Sequence, residues 1–270
     1  TGGRIYGNIT FSSGMNISSG NGIDLVATSG NQMITTNGKT IPFAFTFNCP
    51  NTTINFGDAF NSSSGITHTS GAIDSNYPIT IGGTYYITSS ANTSLKMNGN
   101  TFYLPQAFIP GDTSIIGMTL FSFTALSSMF QTWSDGDLSN LTLNVGVSGG
   151  YLEINTGSIT LNDITNTQHP ATIYFSSYST TTVNNFTFSG IAGSLANINL
   201  TSTSAQFPIL SKSSGIVACD YLNIRKSTAT GGATWYAGSH SVNSGNNSGW
   251  IFTDPPPPIV NTGNFFFIIS

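Results

Sequence analysis

Catalysis and metal binding need convergent side chains that titrate, ligate or attack, and this sequence spaces such residues widely. The three histidines, His68, His169 and His240, are isolated, and none has a second ligand at helical or hairpin spacing. They read as surface or loop histidines rather than as ligands or general bases. The closest acidic pair is Asp135 and Asp137, in the stretch Ser134-Asp135-Gly136-Asp137. Carboxylate oxygens suit a hard cation such as calcium, but the calcium-hand loop pattern is missing, and the stretch reads as a polar turn. Cleavage of a polysaccharide would need two carboxylates facing each other across a groove. Glu153 with Asp163 or with Asp220 could supply them, although nothing in local spacing selects a pair. Catalytic residues, metal ligands and cofactors are therefore expected to be none, and the chain is expected not to be an enzyme. Trp235-Tyr236 and Trp250 could stack on sugar rings if exposed, or plug the end of the fold. Cys49 and Cys219 lie far apart and read as separate buried small hydrophobes, with pairing across the fold as the alternative.

The composition narrows the choice of partners. Of 270 residues only 6% are charged, against roughly 25% in an ordinary globular domain. Disorder normally requires few aromatics and a high net charge, whereas this chain has 19 Phe, 10 Tyr and a net charge of −4. It should fold, with Ser, Thr and Asn supplying its solubility. Six Lys and Arg residues are too few for a phosphate-neutralising stripe, so nucleic acid is not an expected partner. No apolar run approaches the ~18–20 residues of a membrane span, so membrane insertion is not expected. No secretory leader is visible and the first residue is Thr1; a processed start, or the start of the ordered part, is the expectation.

Helix signals are nearly absent, and the one candidate for a helical turn is Phe123–Trp133. Elsewhere short β-rich runs alternate with turn clusters, as at Arg4–Phe11, Ile41–Phe47, Ile79–Ile87, Leu141–Val147, Ala171–Phe175 and Phe207–Leu210. Asn21-Gly22, Asn37-Gly38 and Asn98-Gly99 supply residues that tolerate positive φ in tight turns. An apolar–x–Asn–apolar–x–apolar pattern recurs at Leu138–Leu143, Val183–Phe188 and Leu195–Leu200, with a variant at Cys219–Ile224. If copies stack, Leu141, Leu143, Phe186, Phe188, Ile198, Leu200, Leu222 and Ile224 are predicted to point inward as one row. The fold class is all-β. An irregular parallel β-helix is the favoured architecture and β-sandwich domains the alternative, divided into a β-rich region 1–137, a solenoid 138–254 and a C-terminal segment 255–270. That last segment pairs a proline spacer, Pro255–Pro258, with the apolar run Phe265, Phe266, Phe267, Ile268 and Ile269, read as an extended assembly arm. Sequons from Asn8 to Asn246 follow largely from the Asn, Ser and Thr content, and Asn140 and Asn185 fall inside proposed strands.

One stretch carries a family likeness. Val217–Asp254, with Asp220-Tyr221-Leu222, the run Ala229–Gly238 and the run Asn246–Phe252, resembles a module of Ser/Thr/Asn/Gly-rich β-solenoid proteins of tailed bacteriophages, especially those of aquatic environments. Ile34–Pro50, in which the turn Thr36-Asn37-Gly38-Lys39-Thr40 precedes an apolar strand, is similar to a repeat of the same group. The resemblance implies a virion component such as a tail fibre, spike or capsid-decorating protein. Its expected partners are other virion proteins, further copies of itself as a homo-oligomer, and a host surface glycan or protein. Related modules in bacterial surface proteins imply the alternative of a secreted adhesin or filament subunit at the cell surface. The likeness carries no catalytic residues.

Overall fold

A computed structural model describes residues 2–89, 92–111, 114–200 and 207–257. Among them the chain forms strands and turns with no helix, stacked as a parallel β-solenoid of about 10 turns. The sheets contain 16, 10 and 3 strands; we call them the broad, narrow and end sheets. Rungs between Thr40 and Gly231 give strands to both the broad and narrow sheets, the first and last rungs only to the broad one of these two, and the end sheet joins Ile216–Ala218, Thr234–Tyr236 and Trp250–Ile251 in the closing rungs. All ladders between the named strands are parallel, which excludes the sandwich alternative. Broad and narrow sheets both run through position 137, which the strand Gly136–Val145 straddles.

Alternation explains why these segments are strands. In Ala171–Phe175 the residues Ala171, Ile173 and Phe175 are buried while Thr172 and Tyr174 face outward. Stacking then builds an interior column whose members need only be apolar. One such column in the broad sheet runs Ile23, Phe45, Ile66, Tyr85, Ala107, Phe130, Ile154, Phe175 and Leu200. Polar side chains bond along the stack as well. The buried Asn144 amide donates to Ser122 Oγ at 2.9 Å and to Thr167 Oγ1 at 3.1 Å, tying three rungs together.

Several expectations are corrected here. Phe123–Trp133 holds no helical turn; Ser127–Thr132 is a strand whose alternate residues Ser128, Phe130 and Thr132 are buried. The run Ile79–Ile87 is two strands, Ile79–Ile81 in the narrow sheet and Thr84–Ile87 in the broad one, with the corner at Gly82-Gly83. All eight residues predicted to point inward are buried, but they do not form one row. Leu141 and Leu143 belong to the narrow sheet, while Ile198, Leu200, Leu222 and Ile224 belong to the broad one. There the register pairs Ile198 with Ile224 and Ala196 with Leu222, two residues away from the alignment of the motifs. A two-residue shift keeps every inward residue inward, so burial alone cannot reveal it. The Asn-Gly turns hold at Asn37 (φ 51°), Gly38 (φ 74°), Asn98 (φ 48°) and Gly99 (φ 81°), but not at Asn21-Gly22. Gly22 serves close approach instead, since a Cβ there would lie 2.7 Å from the Ala44 carbonyl oxygen.

Candidate functional site

The broad sheet turns its outward residues into columns as regular as the interior ones. One column reads Tyr86, Phe108, Gln131, Asn155. Its neighbour reads Thr84, Gln106, Met129, Glu153, Tyr174, Asn199. A third reads Ser127, Tyr151, Thr172, Asn197, Asn223. This face therefore carries aromatic rings, amides and hydroxyls, with Glu153 as the one carboxylate in these columns.

The rings gather where three rungs meet. Tyr86 and Phe108 lie 6.3 Å apart between ring centroids. Trp133 leaves the end of its strand and packs back on Tyr86 at 5.2 Å, the planes inclined at 61°. Tyr86 is 39% and Trp133 47% exposed. Beside them runs a shallow groove of about 410 Å³, lined by Ala44, Gly65, Ile66, Thr67, Thr84, Tyr86 and Phe108. None of these lining residues carries a charge. The Thr84 hydroxyl donates to Gln106 Oε1 at 3.1 Å along the rim. Further along the sheet Tyr151 and Tyr174 meet edge to face at 5.5 Å. Toward the C-terminal end the aromatics give way to an amide ladder, in which Asn223 Nδ2 donates to Asn197 Oδ1 at 3.0 Å and Asn197 Nδ2 to Thr172 Oγ1 at 3.2 Å.

The aromatics singled out in the sequence lie elsewhere. Trp235 and Trp250 are buried in the closing rungs, 5.2 Å apart and each in ring contact with Phe186. Their indole N–H groups donate to Thr230 O at 2.9 Å and to Ser227 Oγ at 3.1 Å. Neither ring is free to stack on a sugar; Tyr236 is half-buried beside them. The apolar residues Phe265, Phe266, Phe267, Ile268 and Ile269 lie outside the described residues, as does Pro258.

The titratable residues are held by local bonds. His68 corrects the surface expectation: it is fully buried, with Nδ1 3.0 Å from the Tyr85 hydroxyl and Nε2 2.9 Å from the Gly71 carbonyl. At Gly71, with φ 102° inside the strand Ile66–Asp74, the backbone departs from regular pairing and its carbonyl is satisfied by the imidazole. His240 is exposed, stacked on Tyr221 at 4.6 Å and bonded to Asp220 at 2.8 Å. His169 is half-buried, 3.1 Å from the Asn166 amide. Asp135 precedes the strand Gly136–Val145 and accepts from the Ser158 backbone N–H, a rung away, at 2.7 Å; Asp137 lies within that strand rather than in a turn and accepts from Ser139 N–H at 2.9 Å. Asp163 accepts from Thr187 N and Oγ1, and burial holds its carboxyl above the ordinary range. Glu153 stands on the outer face of the broad sheet, whereas Asp163 lies in the narrow one. No group of three or more His, Cys, Asp and Glu that could hold a metal occurs among the described residues. Cys49 and Cys219 are free and buried, and burial pushes the Cys219 thiol up to about 12.

Sequence reasoning missed Tyr86, Phe108 and Trp133, although a signal was present for Tyr86. Two adjacent aromatics in a strand place one ring on each face. Tyr85-Tyr86 therefore announces an exposed ring, and Phe102-Tyr103 repeats the device, with Phe102 buried and Tyr103 38% exposed. No protein-family model, curated protein or solved structure matches this chain.

Proposed function

We propose that this chain is a virion surface structural protein of a tailed bacteriophage, a fibre, spike or capsid-decorating component acting in adhesion or particle assembly. The observation that carries the reading is the outer face of the broad sheet, a display of rings, amides and hydroxyls with few charges on a continuous parallel stack. The resemblance of Val217–Asp254 supports it, and these residues form the closing rungs. One position there shows why the module has the glycines it has: a Cβ on Gly249, at φ +75°, would lie 1.9 Å from the Ala229 carbonyl oxygen. The partners proposed are other virion proteins, further copies of the chain, and a host surface glycan or protein.

A secreted bacterial or archaeal adhesin or filament subunit is the second reading. It is favoured by the broad sheet ending, among the described residues, on the strands Gly3–Ile5 and Val242–Asn243, each paired on one side, since such edges are templates for another chain. A depolymerase has less support, because Glu153 and Asp163 stand on different sheets and Asp220 is occupied by His240. Mass spectrometry of purified virions decides between the first two. The chain is expected among the head or tail proteins at stoichiometric abundance. Its recovery only from virus-free cell surfaces or medium would overturn the virion reading.

A further inference from the structure

Large apolar side chains are exposed singly at several places, such as Tyr6 and Tyr178, but rings gathered into one contiguous patch mark an interaction site. Trp133, Tyr86 and Phe108 come from three successive rungs, and only stacking brings them into one patch. We propose that this patch and its groove bind a neutral glycan chain, with pyranose rings packed on Trp133 and Tyr86 and hydroxyls bonded by Thr84, Gln106 and Gln131.

A pyranose ring has an apolar C–H face and a rim of neutral hydroxyls. It needs a flat aromatic surface beside donors and acceptors that carry no charge. This groove supplies both. Ala44, Gly65, Thr67 and Thr84 line it with small side chains, Tyr86 and Phe108 supply the rings, and no lining residue is charged. Gln106 and Gln131 continue the same outward columns as Thr84 and Phe108 and offer amide groups on the rim. The rings sit on or beside strands paired on both sides, so little order remains to be imposed on binding. Rungs repeat every ~4.7–4.9 Å along the axis, a spacing of the order of one sugar residue, which favours a chain lying along the stack. An acidic polysaccharide would find no cation among the lining residues.

This deepens the reading above by naming the ligand class of the displayed face, and the two fail separately. Absence of the chain from virions would overturn the virion reading and leave a glycan result standing, and the reverse holds equally. The chain has 3 tryptophans, and Trp235 and Trp250 are buried, so Trp133 reports on the patch. Purified full-length protein is titrated with linear neutral hexasaccharides of glucose, mannose, galactose and N-acetylglucosamine, and with hexagalacturonate as the acidic control. Iodide quenching and calorimetry are the readouts. At least one neutral hexasaccharide is expected to bind saturably and to shield Trp133 from iodide, while hexagalacturonate does not. Tyr86→Ala and Trp133→Ala are expected to weaken binding roughly tenfold or more, the loss typical of a central aromatic contact, with unchanged unfolding midpoints. No saturable binding by any neutral sugar, or binding that survives both substitutions, overturns the proposal. So does sedimentation showing an oligomer that Trp133→Ala dissociates, which would assign the patch to a second copy of the chain.

Discussion

At the scale of the residue, His68 shows what the interior demands of a polar side chain. The Gly71 carbonyl can only accept, so Nε2 donates to it, and the neutral ring then accepts at Nδ1 from the Tyr85 hydroxyl. Burial lowers the His68 pKa from 6.5 to about 4, and the Gly71 carbonyl only partly opposes this. Between those two values the unfolded histidine takes up a proton and the folded one resists. Stability linked to His68 is therefore complete above the unfolded value and falls as pH drops from 6.5 toward 4. The loss is on the order of 3 kcal/mol across the window. Urea unfolding at a series of pH values should show this decline in the wild type and a flatter profile in His68→Gln, which keeps a donor and an acceptor but cannot charge. Equal slopes in the two proteins would mean that other groups set the acid sensitivity.

At the scale of the element, the closing rungs are held by a cluster of rings rather than by a strand pair alone. Phe186 lies 6.2 Å from Phe188, 5.7 Å from Trp235 and 6.2 Å from Trp250. It follows the strand Thr180–Val183 without belonging to one, so side-chain packing positions it. Phe186→Ala should cost roughly 3–5 kcal/mol of unfolding free energy, the usual price of emptying a buried aromatic site. Tyr178→Ala, at a ring 75% exposed, should stay within about 0.5 kcal/mol. Denaturant titrations of both variants make the comparison, and a small effect at Phe186 would show that the closing rungs collapse around the gap.

At the scale of the whole molecule, stability comes from each rung covering its neighbours. In a solenoid the terms are local and nearly additive. Electrostatics contributes little here. The ion pairs found among the described residues are Lys96–Asp74 and His240–Asp220, each partly open to solvent. Exposed pairs are worth about 0–1 kcal/mol and are screened by salt. The unfolding midpoint should therefore barely move as sodium chloride is raised at neutral pH. A large shift, followed by differential scanning calorimetry, would point to charge interactions that these contacts do not reveal.

The sequence by itself determined the β class, the inward and outward alternation, and the poverty of charge, because each depends on residue types over short windows. Ala171–Phe175 is read correctly from five residues, and the positive φ at Asn37-Gly38 from two. Register and the contact face depend on residues about a rung apart. The interior column accepts Ile66, Tyr85, Ala107 and Phe130 in succession, since stacking asks only that a side chain be apolar and fit. That tolerance erases a strict motif, and so the apolar–Asn–apolar pattern misaligned the rows by two residues. His68 went inside because the strand irregularity at Gly71 (φ 102°) left a carbonyl there, a fact set by Gly71 and Tyr85 together. Tyr86, Phe108 and Trp133 became one surface only when three rungs stacked, because in a parallel solenoid lateral neighbours are always distant along the chain.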